Sequence, residues 1–143
     1  MIEFETHDVE MPDIDIKKVT VWIQEVAASH SRSVGNLNYL FVGDEEILDA
    51  NRRFVNHDYF TDIITFDYSR GDRIAGDVMI SIDTVASNAV KYEVPFLREL
   101  LRVIIHGVLH LCGINDKGPG EREIMEANEN AALELWDKSP KTE

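Results

Sequence analysis

PFLRELLRVIIHGVLHLCG, residues 95–113, opens on a proline and closes on a glycine, with apolar positions recurring at helical spacing between them. Proline suits a first helical turn and glycine a helix end, so a helix is expected over 95–112. Apolar side chains leave it in nearly every direction, as in a helix packed on more than one side. Its one polar face carries His106 and His110. Four residues apart on a helix of 3.6 residues per turn, the two rings lie only about 40° apart and can address one point. Two imidazoles in so apolar a helix are costly to bury without partners. A zinc-protease helix, H-E-x-x-H, carries a glutamate where this chain has Gly107. Gly113 lets the chain leave the helix, and Asp116 arrives six residues after His110, giving H-x3-H-x5-D. Zinc accepts imidazole nitrogen and carboxylate oxygen, and three protein ligands with one open position mark a catalytic site. His106, His110 and Asp116 are therefore the expected ligands of one Zn2+ per chain.

The remaining elements are arranged around this helix. IEFETHDV near the start reads as an edge strand, and DIKKVTVWIQEVAASHS as an amphipathic helix through Val19, Trp22, Ile23, Val26 and Ala27. NLNYLFVG is a short strand, after which Asp44 is the expected cap of a helix through EEILDANRRFV. TDIITFDYS and IAGDVMISI are β-rich and are joined by RGDR, which reads as a hairpin turn rather than an adhesion motif. Asp83 is the expected cap of a short helix, DTVASNAVKYE, and EREIMEANENAALELW closes the chain as an amphipathic helix with a solvated acidic back. The expectation is one α/β domain of α+β character over residues 1–143. Its mixed sheet has roughly four strands, about five helices pack on it, and the metal site sits on the long central helix.

Composition bounds the function. The 143 residues, 44% hydrophobic and 29% charged, suit one globular domain and exclude a disordered tail. No run approaches the roughly 20 apolar residues of a membrane span, and the acidic start lacks the pattern of a secretory signal. Cys112 is the single cysteine, so a reducing cytoplasm is expected. It lies roughly 200° round the helix from His110 and is read as a buried thiol rather than a ligand. Net charge is −13, which opposes a polyanionic partner. Six of the acids fall in residues 1–15, and residues 121–143 carry seven acids against three bases, leaving a nearly balanced middle of 14 acids and 11 bases. Nucleic acid remains admissible there, although no basic stripe exists.

With these residues in view, the chain resembles the YbeY-type bacterial rRNA maturation endoribonucleases. Their signature H-G-x-L-H-L-x-G-Y-D-H is matched by HGVLHLCGIND at 106–116. NRRFVNHDYFTDIITF at 51–66 is similar to the family's N-x-x-Y-R-x-x-D-x-P-T-D-V-L-S-F, and GDVMIS at 76–81 to its G-D-I-x-I-S. The resemblance implies a mixed sheet with surrounding helices, one zinc ion, and cleavage of single-stranded ribosomal RNA. It further implies maturation of the 16S 3′ end, ribosome quality control, and recruitment by a ribosomal protein or a ribosome-associated GTPase. Neither DNA nor a membrane is an expected partner. Three departures stand out. The family's third metal histidine falls on Asp116, whose carboxylate cancels one unit of metal charge and weakens the Lewis acid. The family's arginine falls on Val55, leaving Arg52 and Arg53 as the nearest cations, and Phe60 replaces a proline. On this resemblance Thr61, Asp62 and Arg53 are the expected substrate contacts.

Without a glutamate at position 107, proton transfer has to come from elsewhere, and Asp62 and Asp77 are the candidate bases. Zinc acidifies water towards neutral pH and polarises a phosphoryl oxygen. RNA also brings its own 2′-hydroxyl as nucleophile, whereas an amide brings none. The absent glutamate therefore weighs more against a small zinc metallopeptidase, the second reading, than against a ribonuclease. A third reading is a non-catalytic ribosome-assembly factor with a structural metal. An open coordination position opposes it unless His57 closes the set, and His57 reads more simply as a loop residue.

Overall fold

A computed structural model of the chain describes residues 1–55 and 61–139. Strands β1 (Ile2–Thr6), β2 (Ser33–Val42), β3 (Ile63–Asp67) and β4 (Arg73–Ser81) form one sheet in the order β1-β2-β4-β3. β1 and β4 run parallel to β2, while β3 runs antiparallel to β4. The sheet is mixed, as expected, with the amino-terminal strand on one edge and the hairpin strand on the other. Gly71 turns the hairpin at φ +55°, a left-handed conformation that glycine adopts without a Cβ clash.

Helices α1 (Ile16–Ser29), α2 (Asp44–Ala50), α3 (Ile82–Lys91), α4 (Phe96–Leu111) and α5 (Glu121–Lys138) pack on this sheet. Register decides what each face of the sheet carries, because side chains two apart share a side. Phe4 pairs with Tyr39, Tyr39 with Val78, and Val78 with Thr65. On that side Leu37, Tyr39, Phe41, Val78 and Ile80 are buried in one core with α1, α4 and α5. Trp22 of α1 donates its indole N–H to the Ala132 carbonyl of α5 at 2.7 Å, and the Tyr39 hydroxyl donates to the Ile104 carbonyl of α4 at 3.0 Å. Within α4, Leu100, Ile104, Ile105 and Val108 are fully buried, each worth about 1.5–3 kcal/mol. That burial holds the histidine helix rigidly against the sheet. On the opposite face Ile64 packs with Ile47 and Ala50 of α2 in a smaller cluster.

Local differences from the sequence reading have physical causes. The helix expected through EEILDANRRFV is α2 only to Ala50, and Asn51–Val55 continues as a wider π-helical turn. Neither Asp44 nor Asp83 is the cap of its own helix. Each helix follows directly from a strand, so the last extended residues, Gly43 and Ser81, take the cap positions. The two carboxylates cross over instead. Asp83 accepts from the Asp44 N–H at 3.0 Å, and Asp44 accepts from the Ser81 and Thr84 hydroxyls at 2.6 and 2.5 Å. α4 runs from Phe96 to Leu111, with Pro95 and Cys112 as its flanking residues. No helix among the described residues is long and apolar enough to cross a membrane.

Candidate metal centre

α4 presents its polar stripe, including Glu99, Arg102, His106 and His110, to a groove of about 980 Å3. The histidine ring centroids stand 4.9 Å apart. Gly113, at φ +95°, lets the chain reverse and carry Asp116 back over them. Asp116 Oδ2 lies 3.3 Å from His106 Nε2, and Asp116 Oδ1 lies 3.5 Å from His110 Nε2. Both separations exceed a normal N–H···O bond. Asp116 Oδ1 is buried with no hydrogen-bond partner, which is costly unless something cationic fills the gap. Donors around a tetrahedral zinc, bound at about 2.0–2.2 Å, stand about 3.3–3.6 Å apart. Each imidazole nitrogen has one Asp116 oxygen at such a spacing, and one donor atom from each of the three residues lies within 4.8 Å of the others, so the set can gather round one ion. His7, Asp8 and Glu46 form another donor group at the surface, but there Glu46 already binds His7 Nδ1 at 2.5 Å.

The sequence reading missed the residue that orients this set. Glu129 of α5, read as part of a solvated acidic back, is buried. Its Oε2 accepts from His106 Nδ1 at 2.7 Å and its Oε1 from Arg102 Nη1 at 2.8 Å. Arg102 Nη2 also donates to Asn130 Oδ1 at 3.1 Å. A proton held on Nδ1 by Glu129 leaves the Nε2 lone pair facing Asp116, the arrangement a ligating histidine needs. A signal for Glu129 exists in the sequence: Met125, Glu129, Ala132 and Leu133 share one buried helical stripe. An acid on such a stripe requires a partner.

Shortage of positive charge marks the groove. Burial pushes Asp62 above the usual carboxylate range, Glu129 and Asp116 add to the shift, and His106 opposes it. Burial likewise raises Glu99, reinforced by Asp62 and Glu129 and opposed by Arg102. Burial works against a charge on His106, yet the Glu129 hydrogen bond and the fields of Glu129, Asp116 and Asp62 hold it above the ordinary value. His110 is lowered by burial and by its neighbour His106.

Thr61 and Asp62 line the same groove as His106, His110 and Asp116. Arg53 and Asp77 do not. Arg53 is exposed and pairs with Asp49 at 3.2 Å. Asp77 stands in register with Asn38 and Phe66, on the opposite face of the sheet, and accepts from Asn38 Nδ2 at 3.1 Å. His57 and Phe60 lie outside the described residues. Cys112 is buried, and its thiol is pushed up by that burial. Gly107 faces the sheet. A Cβ there stands 3.2 Å from Ile63 Cδ1, 3.4 Å from Val78 Cγ1 and 3.7 Å from Thr65 Oγ1.

Comparison with known proteins gives a consistent set of relatives. Residues 1–137 match the family described as Endoribonuclease YbeY. A protein named Endoribonuclease YbeY from Phocaeicola vulgatus is 63% identical over 135 residues, covering 94% of this chain and 98% of its own. One of the same name from Bacteroides thetaiotaomicron is 55% identical over 134 residues, covering 94% and 98%. The solution structure of TM1509 from Thermotoga maritima is similar with a TM-score of 0.67 at 25% identity, covering 99% of this chain and 95% of that one.

Proposed function

The chain belongs to the endoribonuclease YbeY family, and on that premise we propose that it is a zinc-dependent endoribonuclease of single-stranded ribosomal RNA. Its work is maturation of the 16S 3′ end and ribosome quality control in the cytoplasm. The observation that carries the metal reading is the buried Asp116 Oδ1, unpaired among two imidazole nitrogens. His106, His110 and Asp116 hold the ion. When bound, it supplies polarisation of a phosphoryl oxygen and a more acidic water. Glu129 and Arg102 keep the His106 ring turned and its Nδ1 protonated. Asp62 is the proton carrier, because it lines the groove beside the histidines and burial raises its affinity for a proton. Thr61 borders the substrate beside it.

The metallopeptidase reading loses support at Gly107, where the chain lacks the glutamate that a zinc peptidase uses on an amide. The structural-metal reading loses support from the groove that opens over the donor set. Phosphate contacts dominate RNA affinity, and a chain of net charge −13 binds RNA weakly by itself. Delivery by a ribosomal protein or a ribosome-associated GTPase, which the family resemblance implies, offsets that weakness. The test is replacement of the native gene by His110→Ala. Accumulation of 3′-extended small-subunit rRNA is the expected result, and normal rRNA ends overturn the reading.

A further inference from the structure

Among the described residues, three cationic side chains line the groove: Arg102, Lys117 and Arg122. Two are committed. Arg102 is held by Glu129 and Asn130, and Arg122 pairs with Glu126 at 3.2 Å. Lys117 has neither an ion pair nor a hydrogen bond with any described residue. It follows Asp116 directly, is exposed, and its charge is felt at His110. The family's arginine is lost at Val55, so Lys117 is the cation free to meet a phosphate beside the metal ligands.

The groove also has one phenyl or indole side chain among its described lining residues, that of Tyr92. Tyr92 ends α3, where its backbone N–H donates to the Asn88 carbonyl at 2.9 Å, and its ring is 54% exposed. Lys91 Nζ lies 5.4 Å from the ring centroid. A tyrosine about half open to solvent at the border of a polar groove leaves ring surface available for stacking. The two residues bracket α4: Tyr92 precedes its first turn, Lys117 follows its last, and the histidines lie between. The 16 residues of α4 span about 24 Å at 1.5 Å per residue, room for several nucleotides of an extended strand.

We propose that Tyr92 and Lys117 form the RNA path of this groove, with an unpaired base stacked on the Tyr92 ring and a phosphate held by the Lys117 ammonium; this rests on the ribonuclease reading above. Every base has a π-face, so the path carries little sequence preference. A duplex keeps its bases stacked on one another, so the substrate class is single-stranded RNA with at least one splayed base.

The experiment is anisotropy titration of zinc-loaded protein with a short fluorescein-labelled single-stranded RNA, read before cleavage proceeds and repeated across salt concentrations. Tyr92→Ala is expected to weaken binding about tenfold with the salt slope unchanged, and Tyr92→Phe to recover the lost affinity. Lys117→Ala is expected to reduce the slope of log affinity against log salt by about 0.7, as for one lost phosphate contact on a single strand. Both side chains are exposed, so melting temperatures stay at the wild-type value. If the wild-type chain cleaves this RNA while Tyr92→Ala and Lys117→Ala bind it with unchanged affinity and slope, the path is wrong and the ribonuclease reading stands. A wild-type chain that fails to bind it even at low salt and high protein concentration overturns the path, while the ribonuclease reading is decided separately by the rRNA ends of the His110→Ala strain.

Discussion

Glu129 joins two helices to the histidine pair, since its two oxygens reach His106 and Arg102 at 2.7 and 2.8 Å. Partners of this kind fix ring orientation and raise ligand basicity, and their loss costs metal affinity about 10–100-fold. Glu129→Gln is expected to fall in that range in competition with a chromophoric chelator, with the groove otherwise intact. Wild-type affinity in that variant contradicts the orienting role. Gly107 makes a second test at the same scale. Gly107→Glu forces a charged side chain against Ile63 and Val78, and is expected to cost more than about 3 kcal/mol of unfolding free energy by denaturant titration. A stable Gly107→Glu protein with peptidase activity contradicts the packing described here. The two positions differed in legibility. The absence of the glutamate was plain from HGVLH, whereas its reason depends on β3 and β4 lying against the helix. Asp77 lies away from the histidine groove for a related reason. Residues 76 and 78 face α4 and residue 77 does not, and strand register decides which.

At the level of elements, strong periodicity was readable and termini were less so. α4 was legible because Pro95 and Gly113 bracket a long apolar-periodic run, and the hairpin because Gly71 stands between two β-rich segments. The clustering of His106, His110 and Asp116 was legible from the same feature, as both histidines ride α4 and Asp116 follows its end. Its supporting shell was not, because Glu129 and Arg102 meet only when α5 lies on α4. The crossed caps were equally hidden. Asp44 and Asp83 are 39 residues apart in sequence, and only the neighbouring ends of β2 and β4 bring them together. Asp44→Ala removes the acceptor of two hydroxyls, one on the Ser81 that caps α3. It is expected to lower unfolding free energy by about 1–3 kcal/mol, measured by urea titration with an unchanged m-value. No loss of stability contradicts the crossed-cap description.

For the molecule as a whole, the candidate metal site lies outside the main hydrophobic core. The main cluster runs through α1, β2, β4, α3, α4 and α5 and contains none of the three ligands. Zinc at about a hundred times its Kd is expected to add about 2.7 kcal/mol to stability. A chelator lowers the melting temperature accordingly and leaves the chain folded by circular dichroism; unfolding on chelation contradicts this division. The groove carries several acids and the chain a net charge of −13, so its electrostatics draw a cation first and RNA only afterwards. That ordering depends on one claim, the identity of the donors. It is tested most directly by zinc K-edge X-ray absorption of the purified protein. The expected spectrum has two imidazole nitrogens and oxygen donors at about 2.0–2.2 Å and no sulfur, since Cys112 is buried and is not part of the donor cluster. A sulfur shell at about 2.3 Å, or fewer than two imidazoles, contradicts it.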